Sequence, residues 1–247
     1  MINIVSAYPD YLNLYGEYAS MKLLELRLKY CSQEVKRSEL NFGKYADIDS
    51  ADYIFFGAGT ENRVISVLDD IRGFYENKIK AFVDRGGILQ ISGASTAIFC
   101  KSIVDERTGK RYEGIGLFDA EAVITKKRRY GELICKTEDG QTVIGAVNSS
   151  IDFHRGAKQN ALFSVLWDSS KRFSKGDGEG MRIGNNVFAS EITGPLICRN
   201  PVLMDRLADM VSGEKLPACN EAWYGQAEKA YKHALGILAA ESKLKDL

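Results

Sequence analysis

The sequence predicts one α/β domain with a mostly parallel central sheet and antiparallel flanking strands, and three features carry that prediction. Apolar runs of strand length alternate with runs that place apolar residues at helical spacing through the N-terminal half. Two of the apolar runs, Tyr53-Ile54-Phe55-Phe56 and Ile88-Leu89-Gln90-Ile91, lead straight into turns of small residues. With 247 residues, 45% of them hydrophobic, the chain can bury the core of one such domain.

The elements follow in order. Residues 2–7 read as a first strand, and 21–30 as a helix. Residues 51–57 repeat the motif as a buried strand that delivers a glycine loop, with a helix over 64–77 behind it. A short helix over 78–85 is closed by Gly86-Gly87, after which the strand 88–92 begins. From about 114 to 167 the texture changes to period-two segments broken by turns such as Glu138-Asp139-Gly140-Gln141, which predicts the antiparallel strands. Residues 174–180, rich in Gly and charge, read as a loop near the site. No internal repeat is visible. After Pro217 the character shifts: Asn220 is a candidate N-cap, and Trp223, Ala227, Ala230, Tyr231, Ala234, Leu235 and Leu238 recur at three and four. Two units are therefore expected, a domain over 1–212 and a helical extension over 213–247. The apolar stripe of that extension either folds back on the domain or serves a partner protein.

Composition excludes several classes of function. Lys and Arg total 33 and Asp and Glu total 33, so no global field favours nucleic acid or an acidic membrane. The basic run Lys126-Lys127-Arg128-Arg129 reads first as a solvated hairpin edge. Five scattered cysteines with no C-x-x-C spacing argue against a disulfide framework and fit a reducing cytosol. The first residues are too short for a signal h-region, and no run approaches the roughly 18 apolar residues of a membrane span. A cytoplasmic protein without membrane contact is the expectation.

The segment Ile88-Leu89-Gln90-Ile91-Ser92-Gly93-Ala94-Ser95-Thr96 has the shape of a nucleophile elbow. A strand ends in a tight turn that opens a helix, and small neighbours let substrate and backbone amides approach. Here the elbow carries a serine. A second segment, Ser190-Glu191-Ile192-Thr193-Gly194-Pro195-Leu196, falls where a partner base belongs and offers a threonine.

These motifs resemble the class I glutamine amidotransferases, and within them the branch shared by cobyric acid synthase and the amidotransferase subunit of lipid II isoglutaminyl synthase. That branch carries Cys-Gly-Gly-Tyr-Gln at the elbow and Leu-His-Gly-Pro-Leu near the end of the domain. By the resemblance, Ser92 stands for the nucleophilic cysteine and Thr193 for the catalytic histidine. The opening Tyr8-Pro9-Asp10-Tyr11-Leu12-Asn13-Leu14-Tyr15-Gly16 is similar to the isoglutaminyl synthase subunit. Gly57-Ala58-Gly59-Thr60-Glu61-Asn62 is similar to the loop that supplies oxyanion-hole amides. Arg128, in Arg128-Arg129-Tyr130-Gly131, best matches the arginine that contacts glutamine, and Asp152-Phe153-His154-Arg155-Gly156 matches a Glu-x-His-x-Gly motif whose histidine is not catalytic. The resemblance spans roughly residues 1 to 210. It implies a flavodoxin-like sandwich, a substrate-binding set of Gly57, Ala58, Gly59, Gly93 and Arg128, glutamine or glutamate as ligand, no cofactor, and a Mur-ligase-like ATP-dependent synthetase as partner.

Chemistry then argues against glutaminase activity. A serine hydroxyl stays protonated unless a placed base removes its proton, and a threonine hydroxyl can neither accept that proton near pH 7 nor become cationic. Only His154 and His233 could substitute. A Ser92, His154, Asp152 triad is the one alternative catalytic arrangement, and His233 falls within the terminal helix. Neither histidine has a second ligand at metal spacing, so no metal is implied. Gly57-Ala58-Gly59 lacks the rest of a dinucleotide fingerprint. The expected function is thus a catalytically degenerate amidotransferase-like subunit, with a Ser92-dependent hydrolase or a glutamine-sensing module as alternatives.

Overall fold

The computed structural model describes residues 1–244 and contains two sheets. In the first, β1 (Ile2–Ala7), β2 (Val35–Leu40), β3 (Tyr53–Phe56), β4 (Ile88–Ser92) and β12 (Val187–Ser190) run parallel, and β11 (Met181–Ile183) lies antiparallel at one edge. Their order is β11-β12-β4-β3-β1-β2. The five parallel strands therefore follow the flavodoxin-like order 2-1-3-4-5, in which ligands bind beyond the carboxyl ends of the strands.

Helices cover both faces, which is why β3 and β4 are buried along their whole length and read as apolar runs. Val5, Ile54, Phe56, Leu89 and Ile91 point to α2 (Glu61–Asp70) and α3 (Glu76–Asp84), whose Val64, Val67, Leu68, Ile79 and Phe82 complete that layer. Ile2, Ile4, Tyr53 and Phe55 point the other way, to α1 (Ala19–Tyr30) and α6 (Pro201–Ser212). The expected helices over 64–77 and 78–85 are one rod over 61–84, joined by a π-helical turn at Ile71–Tyr75 that takes in Gly73. Gly86, at φ +90°, ends the rod.

The second sheet is built on the long strand β7 (Ala120–Lys136). It pairs antiparallel with β8 (Thr142–Arg155) along one side, and with β5 (Ser102–Asp105, parallel) and β9 (Phe163–Asp168, antiparallel) along the other. The short strands β6 (Lys110–Glu113) and β10 (Gly178–Glu179) finish it. The expected loop over 174–180 thus includes a strand residue, Glu179, that is fully buried.

Short α4 (Thr96–Phe99) follows the elbow, and α5 (Leu196–Arg199) precedes α6. The terminal helix α7 (Ala222–Ser242) folds back on the domain. Leu238 packs with Ile134 and Ile144 of the second sheet, and the Tyr231 hydroxyl donates to the Thr142 carbonyl at 2.8 Å. The N-cap is Glu221 rather than Asn220, and it makes no side-chain capping bond; the Asn220 N–H instead reaches the Tyr30 hydroxyl at 3.3 Å. Arg27, 1% exposed, ties this end of the molecule together: its Nε donates to Asp205 of α6 at 2.7 Å and its Nη2 to the Pro217 carbonyl at 2.6 Å. Residues 245–247, the last of the extension predicted from sequence, lie outside the described residues.

Candidate functional site

Four chain segments meet at the carboxyl edge of the first sheet: the loop after β1, the glycine loop after β3, the elbow after β4 and the segment after β12. Of the sequence-predicted residues, Gly57, Ala58, Gly59, Gly93 and Thr193 lie in the last three, Ser92 ends β4, and Arg128 reaches the glycine loop from β7 by bonding Glu61.

At the elbow the backbone differs from the sequence-based expectation by one residue. Ser92 is the last residue of β4, extended at φ −118° and ψ 136° and 1% exposed. The left-handed residue is Gly93, at φ +58°. A side chain placed on Gly93 would meet the Thr193 methyl at 2.8 Å and the Ala58 Cβ at 3.0 Å. Gly93, Thr193 and Ala58 are therefore brought together, while Ser92 points into the protein.

Ser92 faces Glu17, a fully buried residue the sequence reading passed over. Burial pushes the Glu17 carboxyl up to about 7, although the Gly194 N–H, donating at 2.8 Å, and the Ser92 hydroxyl both favour its charged form. Its Oε2 has no partner. Thr193 is oriented by strand pairing: its N–H donates to the Ala146 carbonyl at 2.8 Å and its hydroxyl turns to the same oxygen at 3.3 Å. Only its methyl is left facing the elbow.

The glycine loop is shaped by its neighbours. A Cβ on Gly57 would lie 2.0 Å from the Leu12 carbonyl oxygen, and one on Gly59 would lie 2.7 Å from Leu12 Cδ2. Both glycines thus let the loop after β1 lie against the loop after β3. The Leu14 N–H then donates to the Ala58 carbonyl at 2.9 Å, and the Ser95 hydroxyl donates to that of Gly57.

Arg128 is satisfied from within the chain. Its Nη1 donates to Asn148 Oδ1 at 2.9 Å and its Nη2 to Glu61 Oε1 at 3.1 Å, while Tyr15 donates to the Asn148 carbonyl at 3.0 Å. Burial disfavours the Glu61 charge, but the Ser150 hydroxyl and Arg128 outweigh it and hold the carboxyl below its usual value. The Glu61 carboxylate occupies the guanidinium as an amino-acid carboxylate would.

His154 does not join Ser92. It is exposed, in a surface cleft with Lys101, Arg111 and Glu121, and Asp152 pairs with Arg129 and Arg172 instead. The alternative triad is not assembled. His233 is exposed on α7. Among the described residues no group of three or more His, Cys, Asp or Glu is placed to hold a metal, and no helix is long and apolar enough to cross a membrane.

The model of the CobB/CobQ-like glutamine amidotransferase domain matches residues 3–200, a span that includes all four segments of the site. The chain belongs to that family. It is 22% identical over 209 residues to the lipid II isoglutaminyl synthase (glutamine-hydrolyzing) subunit GatD of Staphylococcus aureus, covering 83% of this chain and 82% of the relative. Among solved structures it is similar to PurLQS from Thermotoga maritima, with a TM-score of 0.53, 11% identity, and 95% and 99% of the two chains covered. A glutamine amidotransferase of the same organism gives a TM-score of 0.52 at 8% identity, with 96% and 94% covered. The fold of this family member is thus the flavodoxin-like fold of the class I glutamine amidotransferases.

Sequence reasoning missed Glu17, Glu61, Asn148 and Ser150. Glu17 directly follows the quoted opening motif, and Glu61 lies inside the quoted glycine loop; a carboxylate beside a candidate anion-binding arginine was the available signal.

Proposed function

We propose that this chain is a catalytically degenerate amidotransferase-like subunit that serves a larger ATP-dependent ligase of the Mur type without hydrolysing glutamine. One observation carries the reading: the left-handed elbow position is Gly93, which has no side chain, and the Thr193 methyl stands against it. A nucleophilic thiol would sit at such a strained turn, and a base would face it. Here neither group exists. Ser92, which by the resemblance stands for the nucleophile, is held in the strand against the buried Glu17 and lacks both access and a histidine partner. Glu61 on Arg128 further supports a weakened substrate pocket, in which glutamine has to compete with an internal carboxylate.

The partnership rests on the likeness to a protein named as a subunit of isoglutaminyl synthase, and on a scaffold kept intact around an empty catalytic position. The test has two arms. Purified protein should release no ammonia from glutamine above background, and the chain captured from its native cells should bring a Mur-type ligase with it. Turnover abolished by Ser92→Ala would overturn the first claim; capture without any ligase would overturn the second.

A further inference from the structure

On the second sheet, reached from the site through Arg128, lies a cleft of about 640 Å³ lined by Lys127, Arg128, Arg129, Tyr130, Ser170, Lys171 and Arg172. Five of these seven residues are cationic, in a chain whose formal charges cancel. No acidic residue lines it.

Both walls are fixed by the fold. One is a bulge in β7, where the pairing with β8 jumps from Ile124 to Arg129 and pushes residues 125–128 out of the ladder. The Thr125 hydroxyl bonds to the Lys127 carbonyl at 2.9 Å and the Ser150 carbonyl at 3.1 Å, and so pins it. The other wall is a turn wound around the Asp168 carboxylate. That carboxylate accepts the N–H groups of Ser170, Arg172 and Phe173 and the Ser170 hydroxyl, at 2.7 to 2.9 Å. The turn carries Lys171 in the left-handed region, at φ +60°. Gly131 lets the walls approach, since a Cβ there would lie 2.7 Å from the Ser170 nitrogen.

The arginines are held from behind, Arg128 by Glu61, Arg129 by Asp152 and Arg172 by Glu191. Burial and the neighbouring Arg172 charge still hold the Arg129 guanidinium below its usual value, the mark of crowded positive charge. Lys127 and Lys171, one on each wall, are exposed and make no ion pair among the described residues. Tyr130, 80% exposed, offers a ring face at the mouth.

We infer that this cleft binds a small molecule carrying a diphosphate, its two anionic centres bridging Lys127 and Lys171. A concave, two-walled cleft suits a compact polyanion better than a flat basic face would, and charge-assisted bonds from lysine and arginine are the strong contacts phosphates select. The inference is independent of whether glutaminase chemistry is lost.

Titration calorimetry of the full chain with inorganic pyrophosphate, ADP and AMP tests it. Pyrophosphate and ADP should bind, AMP about tenfold more weakly, and all more weakly as salt rises. Lys127→Glu with Lys171→Glu should weaken pyrophosphate by more than about tenfold with unchanged circular dichroism, because both side chains are exposed. Lys36→Glu with Lys158→Glu makes the same charge change elsewhere and should leave affinity within about twofold. No binding up to ~10 mM, an equal loss in the control variant, or tighter binding of a hexaglutamate peptide than of ADP would each overturn the assignment.

Discussion

Gly93 fixes what a rescue of catalysis would require. Ser92→Cys with Thr193→His follows the motif resemblance, yet the new thiol would stay in β4 facing Glu17, and that variant should release no ammonia. Gly93→Cys with Thr193→His and Ala58→Gly puts the thiol on the left-handed turn, replaces the threonine methyl with a base and removes the Ala58 contact. Slow, glutamine-dependent ammonia release is expected from the second variant alone; activity in the first would move the elbow back to Ser92. Glu17 yields a separate test at the same scale. With a folded value of about 7 against an ordinary 4.5, it binds a proton in the folded state that the unfolded chain has released. Its stabilising share is complete below about pH 4.5 and is lost as pH rises through 7. Glu17→Gln keeps an acceptor for Gly194 and cannot ionise, so it should raise the melting temperature at pH 8 and leave it near wild type at pH 5. An equal shift at both values would show that Glu17 does not titrate in this window.

Among the elements, strands buried on both faces were legible because nothing but apolar residues fits there, and β1, β3 and β4 fall where their apolar runs end. β2 was not legible. Its Lys36 and Arg37 are exposed at the sheet edge, and only Leu40 is buried, so the alternation that marks a strand is overwritten by the charges that shield an edge. β12, four residues long, and α6 were absent from the sequence reading too. The site was legible as a set of segments but not as an elbow geometry, since one residue of register decides which side chain leaves the strand. Arg27 tests how α1 holds the C-terminal elements. Arg27→Ala leaves Asp205 and the Pro217 carbonyl without their buried donor and should cost roughly 3 kcal/mol, read from urea denaturation. A loss under about 0.5 kcal/mol would mean the pairing contributes no more than a surface ion pair.

For the molecule as a whole, the extension's helix α7 packs on the second sheet through Leu238 and Tyr231. Cutting after Pro217 removes Tyr224 and Leu238 and uncovers Ile134 and Ile144. Truncation should therefore lower the melting temperature by several degrees, as burial worth roughly 1.5–3 kcal/mol per large apolar side chain implies. A truncated chain that melts with wild type but no longer holds a ligase would instead make the helix a docking element.

The Arg27 clamp also has a meaning in time. Its guanidinium and the Pro217 carbonyl are 190 residues apart in sequence. At a synthesis rate of roughly 5–20 residues per second, about 10 to 40 s separate the appearance of the donor from that of its acceptor. Through that interval the nascent chain has made α1 with a guanidinium that lacks its final acceptor, and α6 (Pro201–Ser212), which brings Asp205, is made only near its end. Residues 201–224 close the face of the first sheet that α1 covers, so a ribosome that stalls before residue 217 leaves Arg27 without its Pro217 acceptor and that face without Tyr224.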